Sequence, residues 1–168
     1  MGMVLTWDEA LVERALRRRY RHTVVLTNGV FDLLHVGHLE YLEQARALGD
    51  YLVVGVNGDS SAYRIKGFGR PVVPAEERAR LVAALAPVDV AVLFNQDTAE
   101  QLIDALRPDV YAKGGDWSEL KPPPEAAMVQ AYGGRVQYLT YLENHSTSEL
   151  IQRIAKSFER PPDLHSRV

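Results

Sequence analysis

The chain has 168 residues, with 46% apolar and 24% charged residues and a formal charge of −3 at pH 7. That suits one domain large enough to bury its own core, and gives no reason to expect a nucleic-acid partner. It contains no cysteine, which excludes disulfides and thiolate metal sites.

Thr6 followed by Glu9 reads as a capping box that opens a helix over about 7–20, with Leu11, Val12, Ala15 and Leu16 on one apolar face. The basic run RALRRRYRH (14–22) reads as that helix's solvated side. TVVLTNG (23–29) is a buried strand stopped by Asn-Gly, and a helix with Leu39, Leu42, Ala45 and Leu48 inward ends at Gly49. YLVVGVN (51–57) is the second strand, and the glycine-punctuated stretch 58–73 reads as a long loop. A helix over 74–86 starts at a proline, VDVAVLF (88–94) is a third strand, and Thr98 caps a helix that ends before Pro108. DVYAKGG (109–115) is a fourth strand, a proline-rich loop leads to a helix near 124–132, and RVQYLTYL (135–142) is a fifth strand. STSELIQRIAKSF (146–158) is an amphipathic helix, and the tail from Pro161 reads as disordered. The N-terminus lacks the apolar segment of a signal peptide and no apolar run reaches the ~20 residues of a membrane span, so the expected location is cytoplasmic.

Strands that read as unbroken apolar runs, alternating with helices, predict an α/β fold: a Rossmann-like five-stranded parallel sheet with helices on both faces. The whole chain is expected to be one domain with its core at about 23–158. Ligands of such sheets sit beyond the carboxyl ends of the strands. The polar clusters TNGVFD–HVGH, 57–70, KGGDW and ENHSTS all fall there, which implies a single site.

The first strand leads into neither GxGxxG nor GxxxxGK[ST], so neither usual phosphate loop is present. Instead Gly29 and Gly37 allow backbone to approach an anion, and His38 opens a helix whose free N–H groups favour negative charge. His35 and His38 add imidazole donors, and Lys66, Arg70 and Arg78 can supply cations. A polyphosphate suits this array. An HxxH spacing also serves metal sites, for which only Asp32 offers a third ligand. Ser146 with Glu149 is in its own right a capping box, and a helix mouth carrying hydroxyls also binds anions.

GVFDLLHVGH resembles the GxFDxxHxGH signature of the nucleotidyltransferase superfamily that includes glycerol-3-phosphate cytidylyltransferase and the phosphopantetheine adenylyltransferases. Within it, TNGVFDLLHVGH, RIKGFGRPVVPAEER, KGGDW and ENHSTS are most similar to the adenylyltransferase domain that acts on D-glycero-β-D-manno-heptose 1-phosphate. That domain is often fused to a sugar kinase, and here no kinase precedes the motif, which implies the stand-alone form. Ala86 and the segment LENHSTS lack the arginines typical of cytidylyltransferases, Val30 replaces their threonine, and Ile151 stands where other relatives carry arginine, with Arg153 two residues on.

The resemblance implies transfer of AMP from ATP to a sugar 1-phosphate, with release of pyrophosphate. Alternatives are a cytidylyltransferase using CTP and glycerol 3-phosphate or another phospho-alcohol, a flavin-adenylating enzyme, and a nucleotide sensor without turnover. It implies His35, His38 and Lys66 as catalytic, with Asn28, Gly29, Val30, Phe31, Asp32, Gly37, Lys113, Gly115, Asp116, Asn144, His145, Ser146, Thr147 and Ser148 around the nucleotide. Arg70 and Arg78 are implied for the acceptor phosphate, and Asp32 for a divalent ion such as Mg²⁺. Trp117 either lines the site or plugs the sheet edge. The expected partners are a nucleotide and a sugar phosphate, in a homodimer without nucleic acid or membrane.

Overall fold

The computed structural model describes residues 1–115 and 117–158. Its order is β1 (Met3–Leu5), α1 (Trp7–Arg19), β2 (Val24–Gly29), α2 (Val36–Arg46), β3 (Tyr51–Asn57), α3 (Asp59–Lys66), α4 (Ala75–Ala84), β4 (Val90–Phe94), α5 (Glu100–Leu106), β5 (Val110–Gly114), α6 (Ala126–Ala131), β6 (Arg135–Leu139) and α7 (Thr147–Phe158). The strands form one six-stranded sheet in the order β1-β4-β3-β2-β5-β6, every pairing parallel. The chain runs outward from β2 in both directions, so strand order reverses between β2 and β5. Beyond their carboxyl ends lies the crevice that such sheets use for ligands.

All seven residues of β3 are buried, as a central strand covered on both faces requires. One face packs Val25, Val54, Val56 and Ala112 under Leu42 of α2 and Val82 of α4. The other packs Leu26, Val53, Val92 and Tyr111 under Ala10 of α1 and Leu102 and Ile103 of α5. Among the described residues no helix is long and apolar enough to cross a membrane.

Three expectations need correction. The sheet gains a sixth strand, β1, whose three residues pair with β4 and are too few for periodicity to reveal. Residues 59–66 are helical rather than loop: Gly58 and Gly67 are the caps of α3, and the last turn carries Arg64 and Lys66 where cations complement the helix dipole. Thr98 is not the cap of α5. Ala99 holds that position, and its N–H is taken by the Glu125 carboxylate at 3.0 Å.

The capping box at Thr6 is present, but α1 turns a different face inward. Ala10 and Arg14 are buried, while Leu11, Val12 and Leu16 are exposed. The reason is polar. Arg107 adopts a left-handed conformation at the end of α5, and Arg14 donates to the Leu106 carbonyl (2.9 Å), the Arg107 carbonyl (2.7 Å) and Asp109. Asp109 in turn accepts the first N–H of β2 at 2.8 Å. One arginine of the basic run is thus a structural latch, and the small Ala10 lets the helix approach closely enough for it to reach.

Arg14→Ala should destabilise the domain by about 2–4 kcal/mol by leaving buried carbonyls unpaired. Arg18→Ala, on the exposed side, should stay within about 0.5 kcal/mol. Urea denaturation of the two variants checks both values.

Candidate active site

The turn between β2 and α2 is built against local preference. Phe31 (φ 50°) and Leu33 (φ 47°) both occupy the left-handed region, which bulky side chains rarely enter without being held there. The residue between them does the holding. Asp32 is 1% exposed. Its carboxylate accepts the N–H groups of Val72 (2.9 Å) and Val73 (3.0 Å) and pairs with the Arg70 guanidinium (2.7 Å). Burial alone would raise this carboxyl, but those N–H groups and Arg70 outweigh it and hold it below the usual carboxylate range. The Asp32 carbonyl accepts the Thr147 hydroxyl at 2.8 Å, which ties the start of α7 to the same turn.

This clamp presents the two histidines. His35 is the N-cap of α2 and His38 lies in its first turn, their rings stacked with centroids 3.9 Å apart. The His35 backbone N–H points at His38 Nδ1, 3.4 Å away, which makes Nδ1 the acceptor and leaves Nε2 as the nitrogen that carries hydrogen. Burial, with the neighbouring His35 adding to it and Asp32 opposing, pushes His38 down to about 4. Burial and the nearby His145 likewise lower His35, against Glu149. Both rings are therefore neutral donors near pH 7. Among the described residues His35 Nδ1 is buried with no hydrogen-bond partner of ordinary geometry. A Cβ on residue 37 would lie 3.0 Å from the His145 carbonyl oxygen and 3.1 Å from His35 Nδ1, so glycine lets α2 and the 144–147 segment meet without either giving way.

Where they meet is a cavity of about 300 Å³ lined by His35, Gly37, His38, Tyr141, Leu142, Asn144, His145, Ser146, Thr147 and Glu149. The amino ends of two helices, α2 and α7, open on it, and each brings backbone N–H groups without intrahelical partners. Ser146 also closes the expected capping exchange, accepting Glu149 N–H at 3.2 Å and donating to its carboxylate at 2.7 Å. Ser148 lies on the exposed side of α7 and is not part of the lining.

Asn28, Gly29, Val30, Lys113 and Trp117 line a second cavity of about 270 Å³ on the other side of the turn. Gly115 (φ 87°) lines neither cavity itself but lies against the ring of Tyr141, a lining residue of the first, 3.0 Å from where its Cβ would be. Asp116 is outside the described residues.

The cations are placed differently from expectation. Arg78 is 1% exposed and donates to the carbonyls of Val30 and Val73 and to Asp59, so it braces the scaffold instead of facing a phosphate. Arg70 gives its Nε to Asp32. Lys66 is exposed at the end of α3 and makes no hydrogen bond or ion pair with a described residue. Asp32 spends both oxygens on the clamp and offers no ligand to a metal, and the described residues hold no cluster of three or more metal-ligating side chains. Tyr41 and Glu125 carry weight that the sequence reading missed. Tyr41, buried under the site, bridges Thr27 and the Ala112 carbonyl, and Glu125 follows three prolines with no motif around it.

Stacked imidazoles thus stand at a joint helix mouth beyond the switch point of a parallel sheet, where such sheets take ligands. Residues 26–153 match the cytidylyltransferase-like family. The chain is 47% identical over 149 residues to a bifunctional protein HldE of Syntrophotalea carbinolica, covering 86% of this chain and 29% of that protein. It is 48% identical over 155 residues to the bifunctional protein HldE of Alkalilimnicola ehrlichii, covering 90% and 31%. Among solved structures, the lipopolysaccharide core biosynthesis protein of Thermoplasma volcanium superposes with a TM-score of 0.61 at 28% identity, covering 74% of this chain and 99% of that one. The chain belongs to the cytidylyltransferase-like family and is a nucleotidyltransferase. It spans less than a third of the length of the HldE relatives.

Because His38 titrates below its unfolded value near 6.5, the native state binds fewer protons than the unfolded chain between pH 6.5 and about 4. Stability from this group is full above pH 6.5 and is lost as the pH falls through that window, at about 1.4 kcal/mol per unit. His38→Asn should flatten the acid limb of a stability–pH curve measured by denaturation.

Proposed function

We propose that the protein transfers AMP from ATP to a sugar 1-phosphate, with D-glycero-β-D-manno-heptose 1-phosphate as the acceptor. An acceptor phosphate oxygen forms a bond to the α-phosphorus in line, the bond from that phosphorus to the bridging oxygen breaks, and pyrophosphate leaves. A phosphate monoester is already nucleophilic, so the site needs no general base and no covalent intermediate. Its task is positioning and stabilisation of charge on the phosphoryl oxygens.

The observation that carries this reading is the fixed, neutral His38, with Nδ1 turned to backbone and Nε2 left to donate, at the shared mouth of α2 and α7. A triphosphate laid across that mouth meets helix N-termini, the His38 donor and the unpaired His35 nitrogen. His35 and His38 hold the phosphates, and Asn144, His145, Ser146 and Thr147 close over the nucleoside. Lys66, free at the end of α3, is the cation able to swing toward the reacting phosphates. The described residues hold no cluster of three or more metal-ligating side chains, and no step is assigned to a divalent ion. The adenylyl preference rests on Ala86 and the segment LENHSTS, which lack the arginines typical of cytidylyltransferases, on Val30 in place of their threonine, and on the likeness to the HldE proteins.

Pyrophosphate release should be seen with ATP and heptose 1-phosphate, and at least about tenfold less with CTP or with glycerol 3-phosphate. A CTP-dependent product on glycerol 3-phosphate would replace this reading with the cytidylyl one. His38→Ala should lower kcat by about 10²–10³ while the Kd for ATP changes little, as when an oxyanion donor is removed. Steady-state rates and calorimetric ATP binding measure the two.

A further inference from the structure

At the opposite edge of the sheet from the histidines, roughly 17 Å away along β2, lies another cavity, of about 400 Å³. It opens at the amino ends of β2, β5 and β6, where Thr23, Asp109 and Arg135 stand, beside the last turns of α1 and α6. Arg14 is spent there, held by Asp109 and by carbonyls at the end of α5. Asp109 is spent as well, with Oδ2 on the Val24 N–H and both oxygens beside Arg14. Asp50 takes the Thr23 N–H at 2.8 Å and does not line the cavity. The cations that remain are free: the side chains of Arg18, Arg21 and Arg135 make no hydrogen bond or ion pair with a described residue. His22 also lines the cavity, and among the described residues its Nδ1 is buried with no hydrogen-bond partner.

Two helices end here by the same device. In α6 the N–H of Gly133 (φ 87°) reaches the Gln130 carbonyl and that of Gly134 the Val129 carbonyl, both at 3.0 Å. In α1 the N–H of Arg21 (φ 57°) reaches the Arg18 carbonyl and that of His22 the Arg17 carbonyl, again at 3.0 Å. Glycine takes the left-handed position freely in the first, and an arginine takes it against preference in the second. The backbone alone would be better served by glycine. Cations in a last turn do complement the helix dipole, but each helix end carries only about half a negative charge. The ends of α1, α5 and α6 thus offset about half of the three free guanidiniums, and the cavity stays positive. Like charges around a concavity repel, and an anion seated among them removes that cost.

We infer that this cavity binds a small molecule bearing a diphosphate or two phosphates, at a site separate from the histidine turn. Arg18 and Arg21 approach from one helix end and Arg135 from the start of β6. Guanidinium forks pair with phosphate oxygens two at a time, and a further oxygen accepts the ring hydrogen of His22. A concave site of this size suits a small anion. A nucleic-acid backbone needs a run of free cations along the surface, and Arg17, next in the chain to Arg18, is already paired with Glu13.

The probe is inorganic pyrophosphate, followed by NMR through the ring resonances of His22 in the full chain, with His22→Gln to assign them. Pyrophosphate should shift them saturably, inorganic phosphate should bind about tenfold more weakly, and both should weaken with added salt. Arg18→Ala and Arg135→Ala should each lower the affinity about tenfold, as loss of one charge-assisted contact would. Arg21→Gly is the sharper variant, because glycine relieves the backbone: it should melt no lower than the parent yet bind about tenfold more weakly. His38→Ala should leave the His22 response as it was, which separates this cavity from any pyrophosphate held between α2 and α7. His22 resonances unmoved by pyrophosphate, moved equally in all three arginine variants, or silenced by His38→Ala would overturn the assignment. So would a short DNA oligonucleotide that binds through the same arginines more tightly than pyrophosphate.

Discussion

The site depends on one buried carboxylate. Asp32 anchors three otherwise separate pieces of chain: its side chain holds the 70–73 segment, its carbonyl holds the start of α7, and its own backbone lies between two left-handed residues. Without that anchor, Phe31 and Leu33 would have little reason to stay in conformations they disfavour. The turn they make carries the chain from the end of β2 into α2 with both histidines at the helix mouth. An acid whose spacing suggests a metal ligand is therefore the keystone of the histidine turn, and its charge is fully used in that work.

The electrostatics follow from the same geometry. The cavity at the mouths of α2 and α7 presents helix ends and buried imidazoles, with the Glu149 carboxylate and no arginine among the residues that line it. Neutral donors whose protonation is fixed by burial keep the same hydrogen-bonding character across the physiological range. Arg78, the largest fully buried side chain, and Arg70 stiffen the walls from behind. On the other side of the turn, Asn28, Tyr111 and Lys113 share a hydrogen-bonded network beside Glu125.

Much of this was legible in the sequence. Continuous apolar runs gave away the central parallel strands, and element edges in the structure differ from expectation by at most three residues wherever the element type was right. HVGH beyond a strand that ends in Asn-Gly located the histidine turn, and ENHSTS marked the second helix mouth. What stayed hidden depends on tertiary pairing. Arg14 and Arg78 read as surface or substrate cations because nothing local shows that buried carbonyls await them. Gly58 and Gly67 read as loop punctuation when they are the two ends of a helix. Glu125 has no motif at all, since its role arises only where α6 approaches β5 and the start of α5.

A crystal structure with a non-hydrolysable ATP analogue tests the central claim most directly. The account predicts the triphosphate across the mouths of α2 and α7, with His38 Nε2 about 3 Å from a phosphate oxygen. Phosphates seated instead over Lys113 and Glu125, or a His38 ring that reverses and turns Nδ1 to the ligand, would contradict it.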